Sequence, residues 1–127
     1  MSLTKVTSDV LEARYTDAAV ISSTTGTISV DWSAAAVYKM SASLTGATTL
    51  NFTGFVTGQV LTIYALEGAQ TLTLTSDATS SSSFIKVGGD YDGSSDPNVL
   101  QVECLDGNSV NAVFAYTVAT SATDPTP

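Results

Sequence analysis

Along VYKMSASL, residues 37–44, the larger side chains take every second position. Tyr38, Met40, Ala42 and Leu44 fall on one side of an extended chain, and Lys39, Ser41 and Ser43 on the other. A period of two is the mark of a half-buried strand. The same alternation runs through Thr48, Leu50 and Phe52, through Leu61, Ile63 and Ala65, and through Leu72 and Leu74 flanked by Thr71, Thr73 and Thr75. Threonine belongs on such a surface, because its branched β-carbon packs well on a pleated sheet. Further strands are expected from Phe84 to Val87, Val99 to Leu105 and Val110 to Val118. Between them, TGA at 45–47, TGFVTGQ at 53–59 and EGAQ at 67–70 supply glycine where a turn needs positive φ, and Asp106-Gly107 is a hairpin signal. Short connections predict antiparallel neighbours. With no stripe at helical spacing between strands, the expected fold class is all-β: an antiparallel β-sandwich or jelly-roll-like body of about seven or eight strands with an N-terminal arm.

Composition divides the chain into an arm at 1–26, a β-sandwich domain at 27–118 and a tail, ATSATDPTP, at 119–127. In the arm, Asp9 followed by Glu12 reads as a capping box and predicts a helical turn or two through Tyr15. So short a helix does not persist alone in water, and its apolar residues need a surface. Val6, Val10, Leu11, Tyr15 and Ile21 are therefore expected at an interface, on a neighbouring subunit or on the chain's own sandwich. Two longer loops interrupt the strands. SDATSSSS, 76–83, is low in complexity and is expected to be exposed and mobile. GGDYDGSSDPN, 88–98, gathers Asp90, Asp92 and Asp96, but lacks the further oxygen ligands and distal bidentate Glu of a calcium loop, so an ordinary acidic turn is expected there and no metal.

The charge balance, 4 basic against 12 acidic residues and no histidine among 127, gives −8 and argues against a nucleic-acid partner. Lacking histidine, the chain lacks the commonest general base and the Ser-His-Asp and Cys-His arrangements; its acids fall mostly at strand ends and in loops, where a solvated charge is the default. No catalytic residue, no cofactor and no enzymatic activity are expected. Cys104 stands alone between Val102 and Asp106 in an alternating run, the place of a buried structural thiol. No apolar run is long enough for a membrane-spanning helix and MSLTKVTSD shows no signal-peptide core, so neither a membrane partner nor export is expected. Among the aromatics, Trp32, where the body begins, and Tyr91, in the acidic loop, are the candidate interface or ligand surface.

Residues 27–75 bring a resemblance into view. A DWS start, an alternating strand, TTLNF, GQVLTI and a Thr-Leu-Thr-Leu strand together resemble a segment recurrent in tailed-bacteriophage virion proteins, and KVTSDVLEARYTDAAVI is similar to N-terminal arms of phage fibre and head-decoration proteins. Together these cover about half of the chain. Where many fibre tips continue with Trp-Pro-Gly-Gly, this chain has SDATSSSSFIKVGGDYDG. The resemblance implies a structural protein of the virion, assembled in a host bacterial cytoplasm: a capsid decoration or cement protein, homotrimeric, whose partners are itself, the major capsid protein and other virion proteins. It carries no catalytic residue to transfer. It also implies a core of Leu44, Leu50, Phe52, Ile63, Leu72, Leu100, Val102, Phe114 and Tyr116. The alternative is a tail-fibre or appendage module recognising host surface polysaccharide through the loops at 76–83 and 88–98.

Overall fold

The computed structural model describes residues 17–94 and 98–120. Within them the chain is all-β, with nine strands in two sheets and no helix. The strands are β1 (Ala19–Ile21), β2 (Gly26–Asp31), β3 (Val37–Met40), β4 (Thr48–Thr53), β5 (Val60–Leu66), β6 (Leu72–Ser76), β7 (Ser81–Gly88), β8 (Asn98–Asp106) and β9 (Asn111–Thr120). A six-stranded sheet runs β1-β3-β5-β8-β9-β7 and a three-stranded sheet runs β2-β4-β6, the two enclosing one core as in a β-sandwich. The capping-box turn expected at 9–15 and the tail from Ser121 lie outside the described residues.

The sheets are not antiparallel throughout. β1 with β3, β3 with β5, β2 with β4, β4 with β6 and β7 with β9 all pair parallel; only β8 is antiparallel to its neighbours, β5 and β9. Short loops misled the sequence reading, because from β1 to β7 each loop carries the chain across to the opposite sheet. Parallel neighbours need a crossover connection, and here a strand of the facing sheet serves as one. The chain thus winds in flattened coils, each contributing one strand to either layer, a different order from an antiparallel jelly roll. The β8–β9 hairpin, turning at Asp106-Gly107 as expected, enters the large sheet between β5 and β7.

Alternation places the core correctly along most strands. Ile28 and Val30, Tyr38 and Met40, Leu50 and Phe52, Leu61 and Ile63, Leu100 and Val102, and Ala112 and Phe114 are buried. Of the core expected from the resemblance, Leu72 and Tyr116 are only partly buried and pack against its margin. Two departures are local. Ala42 is exposed because β3 ends at Met40 and the chain turns before Leu44 reaches the core. In β5 the phase breaks at Ala65, which adopts φ 59° inside a bulge, so that Leu66 rather than Ala65 follows Ile63 into the core. A bulge adds one residue to one strand of a pair and re-aims the side chains beyond it.

The serine-rich segment is also ordered differently from expectation. Ser81, Ser82 and Ser83 belong to β7 and pair in register with Asn111, Ala112 and Val113 of β9. Before them, the Thr79 and Ser80 amides donate to the carbonyls of Ser109 and Val110 at 2.9 Å each. A polar segment with little strand propensity is held here by its ladder to a long strand. The expected boundary between arm and body at residue 26 is likewise crossed: β1 lies within the large sheet, and Gly26 pairs with Thr48 in the small one.

Candidate functional site

Parallel pairing in register brings like residues into ranks, and the two outer faces of the sandwich differ sharply. On the three-stranded sheet, Thr27, Thr49 and Thr73 form one rank and Ser29, Asn51 and Thr75 the next. These ranks are polar and mostly hydroxyl-bearing, with Asn51 among them and Asp31 beside Thr53 in the next. On the six-stranded sheet, the side turned from the core carries Val20, Val37, Val60, Ile85 and Val87, all exposed; Val20 and Val87 are 64% and 67% accessible. Val60 stands beside Glu103, Glu103 beside Ala115 and Ala115 beside Ile85, so an apolar rank is interrupted by one carboxylate. Lys39, Glu103 and, beyond the β8 bulge, Asp106 beside Val113 bring charge to this face among the described residues. A shallow depression of about 220 Å³ lies across its middle, between Val60, Ala115, Thr117 and Val87. Single exposed apolar residues are ordinary on a protein surface; here several share one sheet face, interspersed with Thr62, Gln101, Glu103 and Thr117, which makes that face a candidate docking surface.

The residues singled out from sequence do not gather there. Trp32 is 2% exposed, and its ring meets Phe52 edge-on at 5.4 Å and Phe114 at 5.7 Å between centroids. A ring so enclosed can be neither a ligand surface nor an interface anchor; it closes the end of the core between the sheets. Its Nε1 is buried with no acceptor within reach among the described residues. Ile21 is 6% exposed and packs in the core of its own chain through β1, the second of the two places expected for the arm's apolar residues, and not on a neighbouring subunit. Val6, Val10, Leu11 and Tyr15 lie outside the described residues.

Tyr91 is partly buried against the core, and its hydroxyl donates to the Gly68 carbonyl at 2.6 Å. Burial, and then the carboxylates of Glu67 and Asp92, push this phenol above its ordinary value. The ring is thereby committed to closing the acidic loop. The organiser of that loop is a residue sequence reasoning passed over. Asn98 is fully buried and its Nδ2 donates to the Leu66 carbonyl at 2.9 Å and the Asp92 carbonyl at 2.7 Å, while the Asp92 amide donates to its Oδ1 at 3.1 Å. The loop lies so close to the 66–70 turn that the Gly68 amide bonds the Gly93 carbonyl at 3.0 Å, and a β-carbon on Gly93 would fall 1.9 Å from the Gly68 oxygen. An Asn in phase with Leu100 and Val102 at the start of an alternating run was the available signal, but such residues are also common in plain turns.

The acids of the loop have local partners. Asp90 pairs with Lys86 on β7, and Asp92 Oδ1 accepts from both the amide and the hydroxyl of Ser94, as in an Asx-turn. Asp96 lies outside the described residues. Cys104 is fully buried on the inner side of β8, and burial, with the nearby Asp106 charge, pushes its thiol above the ordinary value. The thiolate is therefore disfavoured where a nucleophile would need it. The chain matches no family model, no curated protein and no solved structure.

Proposed function

We propose that this chain is a non-enzymatic structural protein of a tailed-bacteriophage particle, a decoration or cement protein seated on the capsid surface. The observation that carries the reading is the asymmetry between the faces: one is a polar array of Thr, Ser and Asn, and the other presents Val20, Val37, Val60, Ile85 and Val87 exposed among polar neighbours. The apolar face is suited to dock on the major capsid protein, and the polar face to meet solvent or other virion proteins. The resemblance of residues 27–75 to virion segments supplies the identity of the partner.

The mechanism is mass action. A protein that binds the assembled lattice and not its separated subunits stabilises the lattice by an amount that grows with the logarithm of its free concentration relative to its dissociation constant. Residues ahead of β1 act as the arm of the assembly. The test is to heat filled heads lacking this protein, with and without saturating amounts of it, and record DNA release. The expected result is release at a higher temperature when the protein is bound. Unchanged release would remove the cement role, and binding to host cells without binding to heads would make the protein a receptor-recognition module instead.

A further inference from the structure

At the flank where the two sheets part, β6 is the last strand of the small sheet and β7 the last of the large one. Between them opens a cleft of about 330 Å³, floored by Leu72, Leu74, Phe84 and Tyr116, with Tyr91 and Asp90 at its rim. Among the described residues, β6 pairs with β4 on one side and with no strand on the other. The Thr71 carbonyl accepts from the Thr48 amide and the Asp77 amide donates to the Phe52 carbonyl, so the odd-numbered residues turn their backbone toward β4. Leu72 and Leu74 therefore turn theirs to the open side, directly over an apolar floor. An unpaired edge above an apolar trough is the setting in which an extended segment adds as a further strand, its backbone bonding the edge and alternate side chains filling the trough.

The arm offers such a segment, in which strand alternation competes with the short capping-box turn expected through Tyr15. Leu11, Ala13 and Tyr15 alternate with Glu12, Arg14 and Thr16, one apolar and one polar side over six consecutive positions. Arg14 is one of only 4 basic residues in a chain of charge −8, so its outward side brings positive charge to an acidic body. The segment cannot reach the cleft of its own chain. Only Asp17 and Ala18 separate it from β1, which lies at the edge of the large sheet opposite β7. β7, whose Ser82 hydroxyl meets that of Ser76 on β6, lies five strand spacings from β1, about 24 Å along the sheet, whereas the three Cα steps from Thr16 to Ala19 span at most about 11 Å.

We propose that residues 11–16 of one copy add as a fourth strand to β6 of a second copy, with Leu11, Ala13 and Tyr15 in the cleft between β6 and β7. The contact is heterologous, arm to cleft, and closes into a ring when the rotation between copies permits. It stands independently of the particle on which the protein acts, since it concerns only copies of this chain.

The experiment uses the full chain. Light scattering gives the mass of the parent and of a Leu11→Asp/Tyr15→Asp variant. In parallel, a chain with Ala13→Cys is mixed with a differently sized tagged chain carrying Leu72→Cys, oxidised, and run without reductant. The expected results are a parent heavier than one subunit, a variant of one-subunit mass with unchanged β-type circular dichroism, and a covalent band joining the two tagged chains. A monomeric parent, a variant that keeps the oligomeric mass, or an oligomer that yields no mixed covalent band would each overturn the proposal. If the double substitution unfolds the chain, the cross-link decides alone.

Discussion

Phe114 is the hub of the aromatic core, and truncating it to alanine tests the packing directly. Its side chain is fully buried. Its ring stacks on Phe84 at 4.8 Å with 6° between planes, meets Phe55 edge-on at 5.0 Å, and lies 5.7 Å from Trp32 and 5.9 Å from Phe52. Removing a fully enclosed phenyl ring costs about 3–5 kcal/mol, from lost transfer energy and the cavity left behind. Each well-placed aromatic pair adds roughly 0.5–1.5 kcal/mol beyond area burial, which puts this site at the upper end, about 4–5 kcal/mol. Domains of this size have about 5–15 kcal/mol in all, so the loss takes from about a quarter to nearly all of the stability. At roughly 3–4 °C per kcal/mol the melting midpoint falls by about 12–20 °C. The readout is built in: Trp32, the single tryptophan, belongs to the same cluster, so urea titration followed by its fluorescence reports on the core itself. The denaturant slope should be unchanged while the midpoint drops. A loss below about 1 kcal/mol would refute the view that this cluster holds the two sheets together.

Three further outcomes are expected. Ala65→Gly relieves a left-handed alanine in the β5 bulge and should raise stability by up to about 1 kcal/mol in urea titration, net of the unfolded-state entropy of glycine; a clear loss would mean that the methyl group packs usefully. Asn98→Ala removes the amide that donates to the Leu66 and Asp92 carbonyls and should cost about 2–3 kcal/mol, with the Asp92 amide losing protection from hydrogen exchange; a protected amide would show that the loop is held by other means. Stability should also decline in alkali. The raised folded-state values of Cys104, Tyr38 and Tyr91 favour their protonated forms, so their contribution is intact below the ordinary thiol value of 9.0 and is lost as pH climbs past it and then past the ordinary phenol value of 10.0. Cys104→Ala should abolish the first part of that decline in a pH series of melting curves, and an identical profile in the variant would contradict the assignment.

Much of the strand content was legible because burial on one face of a strand writes a period of two into the sequence, as in Leu50–Phe52 and Leu100–Val102. The hairpin at Asp106-Gly107 was legible because its turn chemistry is local. Strand direction was not, since residues carry no mark of whether the next strand lies beside them or across the core. Ala65 hid the bulge, because an alanine in phase with Leu61 and Ile63 looks like a core position. Ser81–Ser83 hid a strand, because their order comes from pairing with β9 and not from their own propensity. Trp32 was legible as important and misplaced in role: its partners Phe52, Phe55 and Phe114 are distant in sequence and meet it only after the coils close. The apolar outer face was invisible for the same reason, since its residues are scattered singly over β1, β3, β5 and β7.

The central claim is that the outer face of the six-stranded sheet is the docking surface, and co-sedimentation of purified protein with heads lacking it tests this most directly. Val60→Lys and Val87→Lys place charge on that face at exposed positions, whereas Thr49→Lys places the same charge on the polar face. The account predicts saturable binding of the parent and of Thr49→Lys, and loss of binding by both valine variants with unchanged melting curves. Full binding by the valine variants, or loss confined to Thr49→Lys, would contradict it.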